Sequence, residues 1–351
     1  MKFGLPGIHY FNESDLLDEI NKEARELYLG SLNDGHHRSG IWKHNLRSLK
    51  SHMNSKGSPI DKISKILNNH HFSSGTGTGI KKLFDEIMWS IEYTKNIYGV
   101  DVRKNGSLRE SNFWRSDKIV TVEGDDIYRK GRFSSDFFRH LFCFLEIQKY
   151  CKCVNPIMNR GLYLDKDFES EIKIVELGSG IGNLARIFKI MRPKTQYFFI
   201  DIPESLYYGF MFMRLNFPDC SYKVVLDEEI SSFEGFDFVF VPTKYTKVLY
   251  NQYFDLIINE CSLGEMIQSS IEYWFDFIQN KIDVKYFYSF NRVHGSQHSD
   301  RKGLGDSFVG YDEKWKTLLF DTNPSFNRIP NHPRGEYLTG TQNYEKIVER
   351  S

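Results

Sequence analysis

Short apolar runs alternate with helical patterns between residues 172 and 290, and this alternation most constrains the fold. The runs are IKIVEL, QYFFID, FDFVFV, FDLIIN and VKYFYSF. Each is short and rich in β-branched or aromatic residues, as buried strands are. Helical patterns fall between several of them, including PESLYYGFMFMRLNF, which Pro203 opens. Strands that alternate with helices predict an α/β fold, with a doubly wound, mostly parallel sheet flanked by helices.

The first 150 residues differ in character, because helical patterns there are separated by polar loops. One such pattern, SSDFFRHLFCFLEIQKY, begins at a capping Ser134 or Ser135. The segment NPIMNRG interrupts both kinds of pattern, so we place a boundary there. We predict a mainly helical N-terminal domain over 1–155 and a second domain over 156–351. Residues 300–351 are predicted to form an irregular extension.

The overall charge excludes some classes of function. The chain has 46 Lys+Arg against 46 Asp+Glu, so a large basic face for nucleic acid is not expected. No run approaches the ~18 apolar residues that span a membrane, and no signal-peptide layout is present. With five cysteines in no regular framework, we expect a cytoplasmic protein. The charge is unevenly distributed: residues 1–160 carry 25 Lys+Arg and 19 Asp+Glu, so residues 161–351 carry the remaining 21 and 27.

The segment IVELGSGIGNLARIF predicts a ligand-binding turn between a strand and a helix. Gly178, Gly180 and Gly182 suit a tight turn that a ligand approaches closely, and the helix N-terminus offers N–H groups. The dinucleotide fingerprint G-x-G-x-x-G/A would place its last small residue at Asn183, whereas this spacing is G-x-G-x-G. Glu176 precedes the turn, where its carboxylate suits a cationic ligand and repels a pyrophosphate.

This E-x-G-x-G-x-G pattern resembles motif I of the Rossmann-like, S-adenosylmethionine-dependent (class I) methyltransferases. The resemblance implies S-adenosylmethionine as cofactor and S-adenosylhomocysteine as product. It also implies that Asp201, at the end of QYFFID, accepts hydrogen bonds from both ribose hydroxyls. The candidate cofactor site comprises Glu176, Gly178, Ser179, Gly180, Gly182, Asp201, Ile202 and Asn259.

Later segments are similar to a group of sugar O-methyltransferases of surface-polysaccharide and glycosylated-metabolite pathways. This resemblance, which covers roughly residues 134–293, is carried by the strings FFIDIPESL, FDFVFVP, FDLIINECSLGEM and YSFNR. The matching positions are Asn259, Ser262, Glu265, Met266, Asn291 and Arg292. The resemblance implies an acceptor that is a sugar or glycan precursor, with a nucleotide-linked sugar as one form. The N-terminal part would then bind the acceptor or form a homodimer.

A sugar hydroxyl is a weak nucleophile, so a general base is expected beside the cofactor. Glu265, at the predicted start of a helix, is the first candidate, and Glu260 and His294 follow. A divalent cation is the alternative way to hold vicinal hydroxyls, with ligands from Glu260, Glu265, His294, His298 and Asp300. Their spacing does not demand a metal, so we predict none.

Two interpretations remain for the arginines that precede the glycine turn, Arg132 and Arg139 among them. They contact a phosphate of the acceptor, or they pair with the acidic C-terminal part. Three alternatives to sugar methylation also remain open. These are a nicotinamide-dependent oxidoreductase, a non-catalytic relative that binds cofactor, and a nucleic-acid methyltransferase. The last lacks an amide-methylating N/D-P-P-Y/F motif, since its place after the fourth strand reads NECS.

Overall fold

The computed structural model describes residues 13–30, 40–67, 80–104, 108–109, 111, 119–123, 130–154, 171–229, 232–292, 314–322 and 343–351. The helices are α1 (Glu13–Gly30), α2 (Gly40–Met53), α3 (Pro59–Leu67), α4 (Ile80–Tyr98), α5 (Ser135–Tyr150), α6 (Asn183–Met191), α7 (Pro203–Asn216) and α8 (Gln268–Asp276). Short 3-10 helices span Thr243–Leu249 and Leu263–Glu265, and a π-helical turn spans Phe277–Lys281.

The strands form two sheets. They are β1 (Val120–Glu123), β2 (Lys130–Phe133), β3 (Ile172–Leu177), β4 (Thr195–Asp201), β5 (Tyr222–Val224), β6 (Phe238–Pro242), β7 (Tyr253–Glu260), β8 (Asp283–Arg292), β9 (Trp315–Thr322) and β10 (Asn343–Arg350). The antiparallel pair β1–β2 stands apart, and the large sheet has the order β5-β6-β4-β3-β7-β8-β10-β9. Strands β3 to β8 pair in parallel. The predicted doubly wound, mostly parallel sheet is confirmed.

Helices cover both faces of this sheet because side chains alternate along each buried strand. Tyr197, Phe199 and Ile258 point to the face that carries α5, α6 and α7. Phe198 and Ile257 point to the opposite face, where Trp274 of α8 packs. The strands are therefore apolar on both sides, which explains their continuous hydrophobic runs.

Helix α7 is apolar around its whole circumference, so it must be buried on every side. The sheet covers one side, and α1, α2 and α3 cover the other. The Tyr208 hydroxyl donates to the Leu49 carbonyl at 2.8 Å, and the Tyr207 hydroxyl donates to Asn21 Oδ1 at 3.1 Å. The N-terminal helices and this face of the sheet thus share one core. The division at residue 155 stays a prediction.

The prediction of an irregular extension over residues 300–351 is wrong for its described part. Strands β9 and β10 complete the sheet, and β10 lies antiparallel between β8 and β9. Ile347 and Val348 of β10 face opposite sides and are fully buried, so β10 is an internal strand. Trp315 is also buried in the core. The local sequence pattern indicated these strands only weakly. The reason is that β10 pairs with β8 and β9, and long stretches of chain separate it from both.

No helix among the described residues is long and apolar enough to cross a membrane.

The N-terminus of α5 offers a test of the local structure. Ser134 is the N-cap, and its hydroxyl accepts a hydrogen bond from the Phe137 N–H at 3.0 Å. Replacing it in Ser134→Ala leaves that N–H unpaired inside a buried helix start, which costs about 1 kcal/mol of unfolding free energy. Urea denaturation measures the loss. Ser135→Ala, one residue inside the helix, is the matched control, and an equal loss in both variants would contradict the capping role.

Candidate functional site

The topological switch point of the sheet lies between β3 and β7. From β3 the strand order runs through β4 in one direction and through β7 in the other, so the connections leave to opposite faces. In open α/β sheets this arrangement opens a crevice beyond the carboxyl ends of the strands, where ligands bind. The glycine turn that follows β3 and the residues that follow β7 border this crevice.

Three glycines shape the turn after β3, each in the left-handed region. Gly178, Gly180 and Gly182 have φ values of 75°, 56° and 86°. A Cβ at Gly178 would lie 2.1 Å from Ser262 Oγ, so Gly178 is needed for packing. A Cβ at Gly180 would meet nothing within 4 Å. The turn is therefore packed against the chain at Gly178 and open at Gly180, where a ligand can approach the backbone.

Polar groups beside the turn are available to a ligand. Helix α6 begins after Gly182, and no side chain caps its first N–H groups. An uncapped helix N-terminus attracts acceptor atoms and negative charge. Ser179 is buried, and its hydroxyl makes no hydrogen bond among the described residues. A buried unpaired hydroxyl is costly, so this atom favours a polar ligand in the turn.

Asp201, at the end of β4, faces the turn. Its Oδ2 accepts from the Gly180 N–H and its Oδ1 from the Ile202 N–H, both at 2.7 Å. Burial raises the pKa of Asp201 to about 7, although both backbone N–H groups act in the opposite direction. Each carboxylate oxygen keeps a further lone pair. Asp201 thus keeps acceptor capacity at the mouth of the turn, as the binding of a ribose hydroxyl requires.

Glu176 lies deeper, on β3, and is 3% exposed. The Tyr197 hydroxyl donates to its Oε2 at 2.8 Å. Burial raises the pKa of Glu176 to about 8, and the nearby Glu260 carboxylate acts in the same direction. Glu176 is therefore largely protonated at neutral pH, and a cation in the crevice would favour its ionised form.

Asn259, near the end of β7, is fully buried and uses both ends of its amide within the chain. Its Nδ2 donates to the Leu177 carbonyl at 2.7 Å and to Ser262 Oγ at 2.5 Å. Its Oδ1 accepts from the Leu263 N–H at 3.1 Å and from Asn291 Nδ2 at 2.7 Å. The side chain joins the ends of three elements, and its contact with a cofactor stays a prediction.

Glu260 belongs to a charged cluster that the sequence did not reveal. Its Oε2 lies 2.7 Å from His140 Nδ1, and its Oε1 lies 3.2 Å from Arg139 Nε. Arg139 Nη2 lies 2.9 Å from Asp136 Oδ1, and Asn183 Nδ2 donates to Asp136 Oδ2 at 3.3 Å. Asp136, Arg139 and His140 have the i, i+3, i+4 spacing of one helix face, which is the signal that could have revealed them.

Mutual charge sets the ionisation of this cluster. Burial alone would raise the pKa of Glu260, but the His140 and Arg139 charges hold it below its usual value. Burial alone would lower the pKa of His140, but the Glu260 carboxylate raises it to about 9. At neutral pH the cluster thus contains two cations and two anions, and Glu260 is a carboxylate.

The other candidate bases differ in position. Glu265 was predicted at the start of a helix, but it ends the short 3-10 turn Leu263–Glu265, and α8 begins only at Gln268. That turn forms because Asn259 and Asn291 side chains accept from the Leu263 and Gly264 N–H groups. His294, with His298 and Asp300, lies outside the described residues. Within the described ranges, no cluster of three or more His, Cys, Asp or Glu side chains could hold a metal ion.

No family model and no curated protein matches the chain. Solved structures share its fold at low similarity. The pyocyanin biosynthetic protein PhzM is 11% identical with a TM-score of 0.35, over 60% of this chain and 55% of PhzM. The small RNA methyltransferase HEN1 is 13% identical with a TM-score of 0.37, over 52% of this chain and 24% of HEN1.

A third match is the arsenic(III) S-adenosylmethionine methyltransferase of Chlamydomonas reinhardtii, at 13% identity and a TM-score of 0.33. It covers 51% of this chain and 63% of the algal protein. The chain thus spans less than two thirds of the length of each of these three proteins. Likeness at this level concerns the fold alone.

The raised pKa of Glu176 gives a prediction for Glu176→Gln. Between pH 4.5 and about 8, the folded chain keeps a proton that the unfolded chain releases, so wild-type stability falls as the pH rises through this window. The glutamine has no such proton. The melting temperature of Glu176→Gln relative to wild type is therefore expected to rise between about pH 5 and about pH 9.

The control is Glu272→Gln, which removes an exposed carboxylate from α8. Thermal melts of the three proteins across the pH series test the prediction. A constant difference between Glu176→Gln and wild type would show that Glu176 titrates normally.

Proposed function

We propose that the chain is an S-adenosylmethionine-dependent O-methyltransferase that acts on a hydroxyl of a sugar or glycoconjugate precursor. The observation that carries this proposal is the pairing of the open glycine turn with Asp201. Gly180 offers space in a left-handed turn, and its N–H holds the Asp201 carboxylate at the mouth of the crevice. A nucleoside with a free ribose diol matches these two features.

The remaining groups fit S-adenosylmethionine better than a dinucleotide. The Glu176 carboxyl lies near the turn, where a cationic ligand would favour its ionised form and a pyrophosphate would keep it protonated. The Ser179 hydroxyl and the first N–H groups of α6 suit the amino-acid carboxylate of the cofactor. When bound, this cofactor supplies an electrophilic methyl group.

The chain itself must hold the acceptor oxygen in line behind that methyl group. The crevice between β3 and β7 is the place for the acceptor, since it adjoins the cofactor groups on the side of β7. Glu260 and Glu265 both lie on this side. Either carboxylate can receive the proton of the acceptor. Glu265 stays a candidate base only because it follows β7 closely.

The sugar acceptor is supported by the resemblance of residues 254–266 and 288–292 to sugar O-methyltransferases. The balanced charge of the chain weighs against nucleic acid as the acceptor. A nucleotide-linked sugar, a homodimer and a cytoplasmic location belong to the same proposal.

Ligand-induced stabilisation tests the cofactor. S-adenosylhomocysteine at about 100 times its dissociation constant is expected to raise the melting temperature by about 4 °C or more, whereas NADH leaves it unchanged. Asp201→Asn should weaken S-adenosylhomocysteine binding about 10-fold in calorimetry, because the amide offers the ribose hydroxyls one acceptor oxygen in place of two.

Asp18→Asn is the matched control, since Asp18 is exposed on α1, away from the crevice. Stabilisation by NADH instead of S-adenosylhomocysteine would replace this proposal with the oxidoreductase. An unchanged affinity in Asp201→Asn would remove Asp201 from the ribose site.

A further inference from the structure

The cluster of Asp136, Arg139, His140 and Glu260 contains two polar atoms that lack a hydrogen bond. Glu260 Oε1 and Arg139 Nε lie 3.2 Å apart as an ion pair, but the N–H does not point at the oxygen. Among the described residues neither atom makes a hydrogen bond, and both are shielded from solvent. The other oxygen of Glu260 is held by His140 at 2.7 Å. A buried carboxylate oxygen and a buried N–H are thus paired as charges, and each keeps an unused hydrogen-bonding position.

The chemistry of these two atoms defines which kind of group could bond to both. The carboxylate oxygen only accepts, and the guanidinium N–H only donates. A neutral hydroxyl does both, since it donates one hydrogen bond and accepts two. A phosphate or carboxylate can only accept, and it would be repelled by Glu260 and Asp136. The pair therefore suits a neutral group that both donates and accepts, and the hydroxyl of the proposed acceptor is such a group.

The position of the pair matches the acceptor side of the crevice. Glu260 is the last residue of β7, and its carboxylate is close enough to Glu176 to shift the pKa of that group. The side chain of Arg139 is 15% exposed, against 3% for Glu260 and 2% for Asp136. Of these three side chains, Arg139 is thus the one that solvent reaches most, so an entering hydroxyl would approach the pair from its side.

We propose that Glu260 Oε1 and Arg139 Nε bind the acceptor hydroxyl and that Glu260 is the catalytic base for its methylation. This inference rests on the proposed function. It chooses Glu260 as the base, where the proposed function left both Glu260 and Glu265 open. It also assigns Arg139 to the reacting hydroxyl and not to a phosphate.

The reaction is an in-line displacement at the methyl carbon. The hydroxyl oxygen forms a bond to the methyl carbon, the S–CH₃ bond breaks, and its electron pair stays on sulfur. The hydroxyl proton moves to Glu260 Oε1, which becomes neutral. The oxygen gains positive charge as the C–O bond forms, so its proton is acidic when it leaves. Glu260 must therefore be ionised and in place, and it need not be strongly basic.

His140 is a positioning residue in this scheme. Its Nδ1 contacts the Glu260 oxygen that does not face the acceptor and fixes the orientation of the carboxylate. Its charge, with that of Arg139, keeps Glu260 ionised in spite of burial. The two oxygens of Glu260 therefore have different roles: His140 holds Oε2, and Oε1 accepts the proton.

Sinefungin probes this geometry without an acceptor. It is an analogue of S-adenosylmethionine that carries an amine at the position of the transferred methyl group. If Glu260 faces that position, sinefungin should bind wild type about 10-fold more tightly than S-adenosylhomocysteine. Calorimetry of Glu260→Gln should show this preference reduced to about 2-fold or less. Glu272→Gln, with an exposed carboxylate on α8, should keep the full preference.

The two proposals fail in different ways. If wild type binds neither ligand, the proposed function is wrong. If wild type binds S-adenosylhomocysteine but sinefungin shows no preference that depends on Glu260, the assignment of Glu260 is wrong. Should Glu260→Gln not fold, a crystal structure of wild type with sinefungin decides. The amine nitrogen is expected about 3 Å from Glu260 Oε1, and a separation of more than about 5 Å would overturn the inference.

The role of His140 has its own readout in His140→Gln. Wild type should keep its sinefungin preference from about pH 7 to about pH 5.5, because Glu176, with its pKa of about 8, stays largely protonated there and Glu260 remains ionised. Without the His140 charge, burial raises the pKa of Glu260, so the preference of the variant should decline towards the acid end. A purely structural role would lower affinity equally at every pH, and that result would remove His140 as a positioning residue.

Discussion

The buried amide of Asn259 fixes the relative positions of the elements that border the crevice. One side chain contacts the last carbonyl of β3, the turn after β7 and Asn291 of β8. Ser262, which Asn259 also holds, fills the space that a side chain at Gly178 would need. The glycine turn and the turn after β7 therefore interlock, and neither can shift without breaking buried hydrogen bonds. Such fully satisfied polar networks specify one arrangement, because any unpaired member is costly.

Four buried polar residues form a stripe across one face of an otherwise apolar sheet, and burying them lowers the free energy of unfolding. Glu176, Glu260, Tyr288 and Glu345 are all buried on the side of α5. The Tyr288 hydroxyl donates to Glu345 at 3.1 Å, and Glu260 pairs with α5. Apolar residues of similar volume often stabilise a fold as well as buried ion pairs do. The chain keeps charges at the end of the stripe that reaches the crevice, where they can act on a ligand.

Local sequence patterns predicted the strands that position the site, because β3, β4 and β7 are buried on both faces and their runs are continuously apolar. The glycine turn and Asp201 were predicted for the same reason, since the motif and the strand end are each local. The pairing of His140 with Glu260 joins residues 120 positions apart, and no local pattern reports it. Glu265 shows the opposite error. Its helical spacing is local, but the Leu263 and Gly264 N–H groups donate to the Asn259 and Asn291 side chains and so stabilise a 3-10 turn there.

The opposite charges of the two halves of the chain bear on the acceptor. Lys50 lies 3.6 Å from the buried Glu204, and Arg139 pairs with Glu260, so basic groups of the first half neutralise acidic groups of the second. Arg214 of the second half pairs with Glu19 and Glu23 of the first, so not every such pair has its cation in the first half. Arg139 is thus already compensated by carboxylates. An anionic acceptor would have to displace one of them and leave a charge buried, which costs several kcal/mol. A neutral hydroxyl enters without breaking that balance, and the phosphate of a nucleotide-linked sugar would need to bind elsewhere.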